Sequence, residues 1–125
     1  MTVYQFNKAE KLCDQNRIDS LFDEGQTLFV YPFKFIWKNS KQTSPSLQTL
    51  ISVPKKKLSK ACHRNKIKRL IRESFRKNKV ELESKLKSKE KSVDLVILYT
   101  SNQLLDYKEI ENKICLTLQR LVSKL

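Results

Sequence analysis

Lys55-Lys56-Lys57-Leu58-Ser59-Lys60-Ala61-Cys62-His63-Arg64-Asn65-Lys66-Ile67-Lys68-Arg69-Leu70-Ile71-Arg72-Glu73-Ser74-Phe75-Arg76 follows directly on Pro54 and organises the rest of the chain around it. Within it, Ile67, Leu70, Ile71 and Phe75 recur at helical spacing. They predict a helix from about Lys60 to Lys79, with continuation to Lys87 as an alternative, and a buried apolar stripe. On such a helix Arg64, Lys68, Arg72 and Arg76 fall four apart, a ridge roughly 18 Å long at a rise of ~1.5 Å per residue. Asn65 and Arg69 lie along its flank. Guanidinium groups bind phosphate bidentately and stack on bases, while a lysine acts as a point charge. A rigid row of them suits a folded RNA whose phosphates have fixed positions. Glu73 is expected to pair at i,i+4 with Arg69 or Lys77.

Working outward, Leu47 to Val53 reads as a strand that Pro54 ends, with Leu47, Thr49, Ile51 and Val53 on one face. Asn39 to Ser46, with Pro45, reads as a turn. Before it, Leu28 to Lys38 reads as one strand, with Phe33, Phe35 and Trp37 on one face and Lys34, Ile36 and Lys38 on the other. Leu12, Ile18, Leu21 and Phe22 predict a short amphipathic helix over Asn7 to Glu24, stopped by Gly25. Downstream, Ser92 to Thr100 is a near-continuous apolar run that suits a central strand covered on both faces. Asp106 to Leu125 predicts a closing helix, with Asp106 as N-cap and Glu109 three residues on. Helices on a small sheet make an α/β sandwich, and 125 residues hold one domain of that size.

The charge narrows the function. The net charge is +13, and between Lys55 and Lys79 twelve bases face a single acid, Glu73. The other hundred residues are nearly balanced, with fourteen bases and twelve acids. Cations this dense repel one another unless a polyanion joins them. Merely solvated helix faces alternate in sign. An anionic membrane calls for a broad apolar face, and this stripe is narrow; no run approaches a membrane span. Reading DNA in a major groove calls for a motif such as helix-turn-helix, which is not visible. RNA recognition uses aromatics beside a basic surface, and Tyr31, Phe33, Phe35 and Trp37 are candidates for stacking, though their alternation equally fits a core. His63 is the only histidine, and no nucleophile pattern accompanies it. Asp14, Asp19, Asp23 and Glu24 are spread along one short helix instead of clustering for a metal. Cys13, Cys62 and Cys115 match no zinc or disulfide framework and read as reduced thiols of a cytoplasmic protein. Neither a catalytic residue nor a metal ligand is therefore expected in the protein.

Ile51-Ser52-Val53-Pro54-Lys55-Lys56, followed by Ala61-Cys62-His63-Arg64-Asn65-Lys66-Ile67-Lys68-Arg69-Leu70-Ile71-Arg72-Glu73, closely resembles the signature of the bacterial ribonuclease P proteins. That family carries a strand ending in Ser-Val-(Ser/Pro)-Lys-Lys and then an Arg-Asn-Arg-x-Lys-Arg-x-x-Arg-Glu helix. The likeness extends loosely to Leu21-Phe22-x-x-Gly25, the strand near Val96 and the closing helix. Lys66 stands where arginine is usual and Ala61-Cys62 where Ala-Val is, so position 66 gives up bidentate geometry. The resemblance implies a two-layer α+β sandwich like that of some ribosomal proteins. Its sheet would be small and mostly antiparallel, with three helices and a left-handed β-α-β crossover holding the motif helix. It implies a ribonuclease P RNA subunit that cleaves the 5′ leader from precursor tRNA with Mg²⁺ held mainly by the RNA, and no role for membrane or DNA. Lys55, Lys56, Lys60, Arg64, Asn65, Lys66, Lys68, Arg69, Arg72 and Arg76 are then expected to contact RNA. Phe22, Lys34 and Ile36 are expected to face the leader, and a one-residue slip in strand parity would exchange them for Phe33 and Phe35.

Overall fold

The computed structural model describes residues 15–39 and 46–124. Among them, the elements run α1 (Gln15–Glu24), β1 (Gln26–Val30), β2 (Phe33–Asn39), β3 (Ser46–Ser52), α2 (Ala61–Asn78), α3 (Val80–Lys89), β4 (Ser92–Tyr99) and α4 (Tyr107–Lys124). The strands form one sheet in the order β1-β2-β4-β3. β1 pairs antiparallel with β2 and β2 with β4, whereas β3 lies parallel to β4. The result is the expected α+β fold with a mostly antiparallel sheet. α2 and α3 together make the connection between the two parallel strands. The expected start of the first helix (Asn7 to Asp14), most of the turn before β3 (40–45) and Leu125 lie outside the described residues.

β4 is buried on both faces, by the main core on one side and at Val96 on the other, which is why its sequence is apolar nearly throughout. Phe33, Phe35 and Trp37 of β2 share a face with Val93, Leu95, Ile97 and Tyr99 of β4. Onto that face pack Ile67, Ile71 and Phe75 of α2, Leu82 and Leu86 of α3, and Ile110, Ile114, Leu118 and Leu121 of α4, forming the main core. Each such side chain contributes roughly 1.5–3 kcal/mol through burial. α4 starts as the sequence predicts: the Glu109 backbone N–H donates to Asp106 Oδ1 at 2.9 Å.

Three features depart from the sequence expectations. The stretch from Leu28 to Lys38 is a hairpin instead of one strand, because Tyr31 and Pro32 form a turn with a cis peptide bond between them. The basic helix ends at Asn78, close to the expected Lys79, but in place of a continuation toward Lys87 Val80–Lys89 forms a separate fourth helix with acids in its first turn and lysines in its last. Glu90 ends that helix in the left-handed conformation (φ 53°), and the Lys91 N–H closes onto the Leu86 carbonyl at 2.9 Å. Finally, the sheet's second face is partly covered. α1 lies across it, with Leu21 buried against Ile36 and Val96, so two layers become three at that point.

Gly25 sets how closely α1 approaches the sheet. Its N–H closes the helix on the Leu21 carbonyl at 2.8 Å. A Cβ there would stand 2.4 Å from Leu21 O and 2.7 Å from Ile36 Cγ2. Gly25→Ala is therefore expected to destabilise the protein by about 1–3 kcal/mol, the usual range for overpacking, and to lift α1 from the sheet. Urea denaturation checks the first effect and amide exchange over Leu21 to Glu24 the second. Unchanged values in both would show that the contact relaxes without consequence.

Candidate nucleic-acid interface

The basic segment leaves the sheet at the end of β3 and is pinned before α2 begins. Leu58 is buried in the main core, and the Lys57 and Leu58 N–H groups donate to the Pro54 carbonyl at 3.1 and 3.3 Å. Lys55, Lys56 and Lys57 are thereby held on the outside of a tight turn, all exposed. Arg64 Nη1 reaches back to the Leu58 and Ser59 carbonyls at 2.9 and 2.8 Å. One guanidinium nitrogen of the expected ridge is therefore occupied in fastening the loop to the helix.

α2 begins on Lys60 with no side-chain cap and no acid in its first turn. The positive end of the helix dipole is therefore uncompensated, and Lys60 adds to it. Cations at a helix N-terminus disfavour folding by roughly 0.3–1 kcal/mol each, while the same end favours a bound anion. Asn65, Lys66, Arg69 and Arg72 are exposed and Lys68 is half-buried. Lys68, Arg69 and Arg72 have no ion-pair partner among the described residues.

The ridge is not straight. A four-residue step overshoots one helical turn by about 40°, so Arg76 lies about 120° around the axis from Arg64. That rotation leaves Arg64 next to the buried stripe, consistent with its half-burial and its bonds to the loop. At the other end Arg76 is ion-paired with Glu73, and the Lys77 ammonium lies 3.7 Å from the same carboxylate. Of the two partners expected for Glu73, Lys77 is found and Arg69 is not; Arg76, one turn on, takes its place. The hydrogen bond from Arg76, with the charges of Arg76 and Lys77, holds the Glu73 carboxyl below the usual carboxylate range despite some desolvation.

A second surface lies on the sheet face that α1 only partly covers. Cross-strand register places Phe29, Lys34, Leu98 and Ser52 in one row across all four strands. Because Ser52 ends β3, this row abuts the start of the basic loop. Phe29 is 56% exposed, and Phe22 and Tyr31 are each 52% exposed. The expected positions Phe22 and Lys34 are open or half-open. Ile36, however, is only 5% exposed, because it lies one row further along, beneath Leu21. It belongs to the packing of α1 and not to an open cleft. Phe33 and Phe35 are fully buried, so no parity slip occurs. Of the four stacking candidates only Tyr31 is exposed, its hydroxyl donating to Ser101 Oγ at 3.1 Å. Phe29 was missed because the hairpin reverses parity. On a single strand Phe29 would share a face with Phe33, but across the turn it pairs with Lys34.

An uncapped basic helix fastened to a small mixed sheet, with an exposed aromatic on the sheet edge opposite its loop, defines a class of strongly basic α+β protein. The family model described as Ribonuclease P matches residues 6–122. A ribonuclease P protein component of Porphyromonas gingivalis is 30% identical over 110 residues, covering 87% of this chain and 80% of its own. The RNase P protein of Thermotoga maritima is similar in structure, with a TM-score of 0.67 at 25% identity over 93% of this chain and 97% of that one. The Staphylococcus aureus RNase P protein shares the fold, with a TM-score of 0.70 at 24% identity over 91% and 96% of the two chains. The chain belongs to the ribonuclease P protein family. No helix among the described residues is long and apolar enough to cross a membrane.

Proposed function

We propose that this protein is the subunit of a cytoplasmic ribonuclease P that binds the catalytic RNA and the 5′ leader of precursor tRNA, assisting Mg²⁺-dependent removal of the leader. The observation that carries the proposal is the juxtaposition of two surfaces. The loop lysines Lys55 and Lys56 and the α2 residues Lys60, Arg64, Asn65, Lys66, Lys68, Arg69 and Arg72 form a basic face. That face begins where the Phe29–Lys34–Leu98–Ser52 row ends. Fixed cations suit a folded RNA, and exposed aromatics beside Lys34 suit an unstacked single strand. The leader reading rests on Phe22, Phe29 and Lys34, without Ile36.

In this reading the bond-breaking chemistry belongs to the RNA and its Mg²⁺. Among the described residues no three His, Cys, Asp or Glu side chains come together to hold a metal ion. The protein's own contribution is binding and orientation. Its cations neutralise phosphates that would otherwise repel the leader from the RNA subunit, and release the counterions condensed on them. The test is leader cleavage of a precursor tRNA at near-physiological Mg²⁺ by protein alone, by a bacterial ribonuclease P RNA alone and by the mixture. Cleavage mainly in the mixture is expected. No gain on mixing would leave a basic RNA binder of another kind, and cleavage by the protein alone would put the chemistry in its side chains.

A further inference from the structure

We infer that Glu73 ends the RNA footprint of α2 at Arg72, by engaging both Arg76 and Lys77 in ion pairs while Lys77 reaches over to α4; this rests on the RNA-binding role proposed above for the helix. The footprint would then extend roughly 12 Å from Arg64 to Arg72, not 18 Å to Arg76, at ~1.5 Å per residue.

Four observations support it. Glu73 binds both cations at once, Arg76 through a hydrogen-bonded ion pair and Lys77 at 3.7 Å. Arg76 is the less accessible of the two: its side chain is 29% exposed and its Nε is buried. Lys77 is directed to α4, its ammonium lying 5.7 Å from the centre of the Tyr107 ring. The Tyr107 hydroxyl in turn donates to Glu111 at 2.8 Å, and burial together with that bond pushes the phenol up to about 12. Lys77 thus joins Glu73 to the Tyr107–Glu111 pair while Glu73 also holds Arg76, and the two cations and two carboxylates together carry no net charge to offer a phosphate.

Position along the helix gives a second reason. Arg76 and Lys77 occupy the last turn of α2, where cations interact favourably with the helix dipole. They therefore have a structural reason to be there, one that Lys60 and Arg64 at the opposite end lack. Glu73 acts as a positioning residue in this scheme: it touches no RNA, and limits how far along the helix an RNA can be held.

The experiment is equilibrium binding across a salt series for the full chain and for R72A, R76A and E73Q. The probes are a transcribed ribonuclease P RNA and poly(U), and circular dichroism checks each variant's folding. R72A is expected to lower the slope of log K against log salt by about 0.9 on the folded RNA and about 0.7 on poly(U). R76A should leave the slope unchanged. E73Q should steepen it by about 0.9–1.8 on the folded RNA, or about 0.7–1.4 on poly(U), as one or both cations are released, and tighten poly(U) binding several-fold at low salt. A fall in slope for R76A equal to that for R72A, or no change for E73Q, would overturn the inference. R76Q replaces R76A should the alanine variant misfold. A protein that does not distinguish ribonuclease P RNA from poly(U) would undo the proposed function, while the contrast between R72A and R76A on poly(U) would still decide the footprint.

Discussion

Phe75→Ala is expected to lower the free energy of unfolding by about 3–5 kcal/mol, the usual range for removing a large aromatic from a core. Phe75 is fully buried on the face of α2 that meets the sheet, within the cluster that includes Phe35, Ile97 and Ile114. Small domains have only about 5–15 kcal/mol in total, so the variant should be close to unfolded at physiological temperature. The effect on function follows from geometry. Arg69 and Arg72 are exposed on the same helix, and their spacing is useful to an RNA only while Ile67, Ile71 and Phe75 fix the helix on the sheet. Urea denaturation of the free protein measures the loss. Saturating RNA should recover part of it, because a ligand that binds only the folded state stabilises that state by mass action.

Phe29→Ala provides the contrast. Phe29 is equally aromatic and more than half exposed, so its removal should change stability by less than about 0.5 kcal/mol. If the row it shares with Lys34 receives the leader, the same change should weaken binding of a precursor tRNA with a leader and spare a mature tRNA. Equal effects on both substrates would remove Phe29 from the leader surface. A large loss of stability would mean that the Phe29 side chain is packed in the folded protein.

The two aromatics also show what the sequence makes legible. Phe75 could be assigned to the core from spacing alone, since its neighbours Ile67 and Ile71 share its stripe and their polar counterparts carry the charge. Phe29 could not. The alternation Phe29, Tyr31, Phe33, Phe35, Trp37 runs through the turn as if through one strand, and only Pro32 interrupts it. A proline cannot donate to a sheet ladder, and that was the available sign that two strands meet there. On one continuous strand Phe29 would share the face of Phe33, whereas the hairpin pairs it with Lys34. Ile36 failed for a different reason: its parity was right, but which row of the face α1 covers depends on long-range packing of Leu21 against Val96. The basic helix was legible because charge and apolar periodicity agree over five turns. Its end was less so. Glu81 and Glu83 mark a new helix start after Lys79, yet a continuous helix would carry them equally well. The pairing of Glu73 with Arg76 instead of Arg69 depends on rotamers that spacing cannot choose between.

The largest functional effect is expected from replacing Lys68, Arg69 and Arg72 together by alanine. Each lies in the middle of α2 and is free of ion pairs among the described residues; Arg69 and Arg72 are exposed and Lys68 is half-exposed. A phosphate contact contributes about 0.9 to the slope of log K against log salt. Arg69→Ala alone should therefore flatten the slope by about one charge's worth, and the triple variant by about 2.7. Relative to 1 M salt, each contact is then worth roughly eightfold in affinity at 0.1 M, and three give a loss of roughly 500-fold. The salt dependence separates this from structural damage. Lost counterion release shrinks as salt rises, so the affinities of the triple variant and the parent should converge near 1 M. A misfolded helix would instead carry its deficit unchanged across the series. Alanine also has the highest helix propensity, and removing three like charges from one surface relieves repulsion, so the variant should unfold at a temperature equal to or above the parent's. A protein that gains stability while losing RNA would show that these cations are placed for a partner and at some cost to the fold. A loss of both together would return them to the scaffold.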